Sequence, residues 1–180
     1  MLLKNARSRS SLPRFLKYIC RVYARHVKSE EQLERERQAS EGPAHLTALF
    51  GSKITGPGGV VLNVSSLKGK VLGIYFSAHW CGPCRQFTPI LADKYRSIIK
   101  SGHQFDIVFV TSDRSQSDAD IYFKDMPWKA LPFVDRARKD ALSAKFGVQG
   151  IPTLVLLDEH GNVITLDGRS ALMSKPFPFT

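Results

Sequence analysis

The chain reads as an α/β domain, a central mixed β-sheet flanked by helices, and three features of the sequence predict this. Two apolar runs, Val71 to Phe76 and Phe105 to Thr111, are too continuous for half-exposed strands and suit strands buried on both faces. Segments of helical spacing, Gln86 to Lys100, Gln116 to Lys124 and Arg136 to Phe146, alternate with strands. Late in the chain, Thr153 to Leu157 and Val163 to Leu166 flank Asp158-Glu159-His160-Gly161-Asn162, a hairpin signal. Early crossovers and a closing hairpin together require a sheet of mixed direction.

The 180 residues allow one ordinary domain plus extensions. Residues 1–28 form the first extension, with eight Lys or Arg and no Asp or Glu. From Leu12 onward, Arg14, Lys17, Arg21, Arg25 and Lys28 fall on one helical face, and Leu12, Phe15, Leu16, Ile19, Tyr23 and Val27 on the other. An acid-free, Arg-rich amphipathic N-terminus reads as a mitochondrial matrix presequence, and Arg21-Val22-Tyr23-Ala24 as a cleavage pattern cut after Tyr23. A helix lying on an anionic membrane, or an uncleaved segment on a cytoplasmic or nuclear protein, is the alternative. Residues 29–43, dense in alternating charge and ended by Gly42-Pro43, read as a solvated linker or marginal helix.

The domain is expected over residues 44–180. Ala44 to Phe50 suits a short helix, and Lys53 to Thr55 and Val60 to Val64 suit strands around the turn Gly56-Pro57-Gly58-Gly59. Ser65 to Lys68 is a turn or short helix leading into the strand Lys70 to Ser77. Between the helix after Thr111 and that beginning at Arg136, the proline-rich stretch Met126 to Phe133 reads as a loop.

The stretch Trp80-Cys81-Gly82-Pro83-Cys84-Arg85 lies between a buried strand and a helix. Cysteines with two residues between them can face each other over one turn at a helix start. The free N–H groups and dipole there favour an anion by up to about 2 kcal/mol, and bringing a thiol pKa from about 8.5 to about 7 takes roughly that much. Cys81 is therefore expected to be the attacking thiolate and Cys84 the resolving thiol. His79 and Arg85 can add positive potential. Zinc would need two further ligands, yet the only other cysteine is Cys20 and no histidine pair has H-x3-5-H spacing. A structural disulfide closing so small a ring would constrain the unfolded chain little.

Beyond the cysteines, Trp80-Cys81-Gly82-Pro83-Cys84, Pro89 inside the following helix and Ile151-Pro152-Thr153 resemble the active site, helix kink and cis-proline loop of the thioredoxin superfamily. Tyr75 to Cys81, Arg85 to Pro89, Met126-Pro127-Trp128 and Leu131-Pro132-Phe133 resemble its tryparedoxin and nucleoredoxin branch. The resemblance covers about Leu46 to Ser174. It implies a thioredoxin fold, and that Trp80, Gly82, Pro83, Trp128, Ile151 and Pro152 border a bound substrate, with Pro152 cis. Gly82-Pro83 departs from the Pro-Pro usual in tryparedoxins, relatives continue beyond Phe177-Pro178-Phe179-Thr180, and Tyr75 stands where ordinary thioredoxins carry a buried Asp.

The implied activity is reduction of protein disulfides through a mixed disulfide, with no bound metal or organic cofactor. Electrons would come from a partner, such as an NADPH-linked reductase, a small dithiol or glutathione. The same pair could instead act as a sensor, oxidation altering a partner interface as the resemblance to nucleoredoxins implies. Although the net charge is +10, residues 1–41 and 42–180 each contribute +5 and the domain's charges are scattered, which argues against nucleic acid as a partner. No apolar run approaches the ~18 residues of a membrane span. Matrix import predicts that N-terminal sequencing of the endogenous protein finds a chain beginning near Ala24, whereas an intact Met1 in the cytosolic or nuclear fraction would rule out the presequence.

Overall fold

The computed structural model of the chain describes residues 29–32 and 42–179. It divides into two units, Met1–Gln38 and Ala39–Thr180. In the first, Ser29 Oγ accepts from the Gln32 amide at 3.1 Å and Gln32 Oε1 from the Ser29 amide at 3.0 Å. This reciprocal box opens a helical turn at residues 30–32, in the segment expected to be linker or marginal helix. The amphipathic stretch 1–28 and its presequence reading lie outside the described residues.

In the second unit, helix α1 (Ala44–Phe50) is followed by the antiparallel strands β1 (Lys53–Thr55) and β2 (Val61–Asn63), with Lys53 opposite Asn63. The turn between them needs two residues at positive φ, supplied by Gly58 (73°) and Gly59 (80°). Then follow β3 (Val71–Ser77), α2 (Gly82–Lys100), β4 (Phe105–Thr111), α3 (Gln116–Phe123), β5 (Lys129–Ala130) and α4 (Arg136–Lys145). Strands β6 (Thr153–Leu157) and β7 (Val163–Thr165) and helix α5 (Gly168–Ser174) complete it. The seven strands form one sheet in the order β2-β1-β5-β4-β3-β6-β7. Strand β3 is parallel to β4 and antiparallel to β6, so the sheet is mixed.

The alternation of side chains along β3 divides the core. Leu72, Ile74 and Phe76 face α1 and α4, packing with Leu46, Phe50, Leu142 and Phe146. Tyr75 faces the other way, into a layer with Phe87 and Leu91 of α2, Phe109 and Trp128. With helices on both faces, the central strands have no solvent side, which accounts for their unbroken apolar runs. Asp106 of β4 is the charged exception at 1% exposure. It accepts from Lys70 at 2.7 Å and from Lys129, and both cations come from segments flanking β4.

Two expectations change. The stretch Met126 to Phe133 is not wholly loop, because Lys129 and Ala130 pair with Val108 and Phe109 as β5, and the Leu131 amide donates to the Phe109 carbonyl at 2.8 Å. Two residues are too short for a periodic signal. Val64–Leu67 is a 3-10 turn, leaving β2 three residues long.

Helix α5 lies so close to β6 that a Cβ on Gly168 would stand 2.6 Å from the Leu154 carbonyl oxygen and 2.9 Å from the Leu156 side chain. Gly168→Ala is expected to lower unfolding stability by about 1–3 kcal/mol, by overpacking. Urea denaturation measures this, and an unchanged midpoint would refute the close approach.

Candidate active site

The chain leaves β3 at Ser77 and turns once before α2 begins. The Cys81 amide donates to the Ala78 carbonyl at 3.2 Å, so residues 78–81 make a closed turn. Cys81 is the N-cap of α2, with extended φ and ψ of −85° and 108°. Its Sγ accepts a hydrogen bond from the Cys84 amide at 3.2 Å, as a cap side chain does. Pro83 lies in the first turn, where a missing N–H costs nothing. The two sulfurs are joined in a disulfide with a Cα–Cα distance of 5.2 Å. Cys81 is 6% exposed and Cys84 fully buried, so Cys84 is shut off from solvent while Cys81 keeps a slight exposure.

The loop before β6 completes the enclosure. The Ile151–Pro152 bond is cis, and the Ile151 carbonyl oxygen lies 3.8 Å from Cys81 Sγ. The Ile151 side chain packs on Ala78, Cys81 and Cys84. Trp80 is 62% exposed, with its indole N–H donating to the Ser112 carbonyl at 3.3 Å. Gly82 has open space where a side chain would stand, and Pro83 is exposed. Trp80, Gly82, Pro83, Ile151 and Pro152 thus gather around Cys81.

Trp128 does not join this exposed rim. It is 1% exposed and packs edge-on against Tyr75 and Tyr95, at centroid distances of 6.2 and 5.7 Å. The pairing of β5 immediately after it turns the indole into the core, with its N–H unpartnered among the described residues. Its expected role as an exposed contact is corrected to one of packing beneath the site. His79 is also more structural than expected. Its amide donates to Asp113 Oδ1 at 2.8 Å and its half-buried ring lies 5.8 Å from that of Tyr122. Arg85 is exposed on the first turn of α2.

Behind Cys84 lies a group of neutral hydroxyls in place of an acid. The Tyr75 hydroxyl accepts from Ser77 Oγ at 3.1 Å, shares a hydrogen bond with Thr88 Oγ1 at 2.8 Å, and lies 3.4 Å from the Cys84 carbonyl oxygen. Thr88 Oγ1 donates to that carbonyl at 2.9 Å, and the Tyr122 hydroxyl meets both Ser77 and Thr88. Burial, above all, pushes the Tyr75 phenol far above its ordinary range, with the Ser77 and Thr88 hydrogen bonds pulling the other way.

Sequence reasoning missed Tyr122, Ser112, Asp113 and Arg169. Arg169, on α5, donates to the Pro152 carbonyl at 3.3 Å and lies 5.0 Å over the Phe87 ring, which brings an exposed cation to the cis-proline loop. None carries a local signal, because each reaches the site only through strand pairing or helix packing. Thr88 fell within the Arg85 to Pro89 block but was given no role, although it follows Cys84 by one helical turn. Among the described residues, no group of three or more His, Cys, Asp or Glu side chains converges as metal ligands. No described helix is long and apolar enough to cross a membrane.

Residues 69–163 match the family model described as thioredoxin-like. Nucleoredoxin of Bos taurus is 44% identical over 133 residues, covering 74% of this chain and 31% of its own length. The chain thus spans about a third of that relative. Tryparedoxin II of C. fasciculata superposes with a TM-score of 0.70 at 36% identity, covering 76% of this chain and 98% of that one. Tryparedoxin II complexed with glutathionylspermidine gives a TM-score of 0.69, also at 36% identity, over 75% of this chain and 98% of that one.

The cap geometry predicts that, after reduction, iodoacetamide alkylates Cys81 before Cys84, with Cys81 titrating below the ordinary thiol value of about 8.5. Mass spectrometry of partially alkylated protein against pH checks this, and first reaction at Cys84 would reverse the assignment.

Proposed function

We propose that this chain, which belongs to the thioredoxin-like family on its nucleoredoxin and tryparedoxin branch, reduces disulfide bonds in other proteins. The observation that carries the proposal is Cys81 Sγ, held at a helix N-terminus by the Cys84 amide and facing the Ile151 carbonyl. In the reduced form that sulfur is the favoured thiolate. It attacks one sulfur of a substrate disulfide, forming a mixed disulfide while the other substrate sulfur leaves as a thiolate and takes a proton from water. Cys84 gives up its proton and attacks Cys81 Sγ, expelling the second substrate thiolate. Two electrons have then passed to the substrate, and the Cys81–Cys84 disulfide is left.

The open space at Gly82 and the exposed Trp80 and Pro83 give an extended substrate segment a surface to lie on, and the backbone of the Ile151–Pro152 loop offers pairing partners. A second round needs an electron donor, either an NADPH-linked reductase or a small thiol or dithiol. That a tryparedoxin II is complexed with glutathionylspermidine supports the small-thiol donor.

Insulin reduction with dithiothreitol as donor tests the reading. The wild type is expected to turn over, Cys81→Ser to be inactive, and Cys84→Ser to accumulate mixed disulfides that it cannot release. Substrate disulfides untouched by a protein whose own cysteine pair cycles normally would favour the alternative, a redox-sensitive binding protein.

A further inference from the structure

Asp113 is a buried carboxylate, 2% exposed, one residue beyond the contact that Ser112 makes with Trp80. Unlike Asp106, it meets no cation among the described residues. Its oxygens are held by two hydrogen bonds, Oδ2 from Thr111 Oγ1 at 2.8 Å and Oδ1 from the His79 amide at 2.8 Å, while its own amide donates to Thr111 Oγ1 at 3.0 Å. Burying a carboxylate without a cation is costly unless the groups around it are arranged to donate. Here the arrangement is aimed at the turn that presents Cys81.

The N–H that Asp113 accepts and the C=O to which the Cys81 amide donates belong to the same peptide, that joining Ala78 and His79. An amide whose N–H is bonded to a carboxylate is polarised so that its carbonyl accepts more strongly. The carboxylate therefore tightens the Ala78–Cys81 turn, which fixes the N-cap backbone from which Sγ reaches the Cys84 amide at 3.2 Å. Two more bonds, Ser112 amide to Ser77 carbonyl at 2.8 Å and Trp80 indole to Ser112 carbonyl, tie the same two loops. Only the Asp113 bond carries charge.

We propose that Asp113 is a positioning residue for the attacking sulfur: through the Ala78–His79 peptide it holds Cys81 in the cap geometry that favours the thiolate. This rests on the reading of Cys81 as the attacking thiolate. The test is the pH dependence of Cys81 alkylation in the reduced, full-length protein, with the equilibrium against a dithiothreitol couple measured alongside. Asp113→Ala is expected to slow Cys81 alkylation at pH 7 by about tenfold and to shift that equilibrium, because the charged hydrogen bond is lost. Asp113→Asn keeps an acceptor of the same shape but loses the charge, and is expected to fall between the wild type and Asp113→Ala.

A folded alanine variant with a wild-type or faster profile would overturn the proposal, as would an asparagine variant slower than alanine. If the alanine variant does not fold, Asp113→Ser replaces it, and a wild-type profile there counts equally against the proposal. A wild-type Cys81 that titrates as an ordinary thiol would instead sink the functional reading and this inference together.

Discussion

The hydrogen bond from the Cys84 amide to Cys81 Sγ exists only because a buried strand ends where a helix begins, and much of the molecule serves that junction. Strand β3 is an interior strand, between β4 and β6, paired on both sides along nearly its whole length. Its last residue, Ser77, is fully buried. The cap therefore stands on the part of the fold least able to move, while the groups that meet it from β4 and from the loop before β6 come from the strands on either side.

The hydroxyls behind the site show how such a junction can be polar without being charged. Tyr75, Ser77, Thr88 and Tyr122 satisfy one another and the Cys84 carbonyl, so the inner side of α2 has hydrogen-bonded contact with the sheet and no ionised group among these four. Pro89 belongs to the same solution. Without an N–H at that position, the Arg85 carbonyl loses its helical partner, and the helix is free to bend just beyond the turn that Thr88 and Tyr75 hold. Tyr75 thus sets a phenol, not a carboxylate, between β3 and the first turn of α2.

How much of this was legible depended on the range of the forces involved. The long apolar runs, the helix beginning at the cysteine pair and the closing hairpin are local or periodic signals, and all lie where expected. The cysteine pair and the cis-proline loop were legible as motifs, and the structure brings Ile151 and Cys81 together from 70 residues apart. Trp128 was misplaced because a motif records which residues accompany a site, not which way their side chains point. Strand β5 is made by its partner β4 rather than by its own two residues. Asp113, Tyr122 and Arg169 were invisible because nothing in their neighbours distinguishes a surface polar residue from one delivered to a site by tertiary packing.

The complete burial of Cys84 beside a slightly exposed Cys81 has a consequence for traffic through the pair. In the proposed reaction a protein disulfide, being bulky, would meet only the Cys81 sulfur, so the adduct would form at one atom. Its release would then fall to Cys84, which at 0% exposure no second macromolecule can reach first. A sulfenic acid formed at Cys81 could likewise be lost as water when the Cys84 thiol closes the ring, leaving the Cys81–Cys84 disulfide for a reductant, whereas an alkylated sulfur, a thioether, offers no such exit.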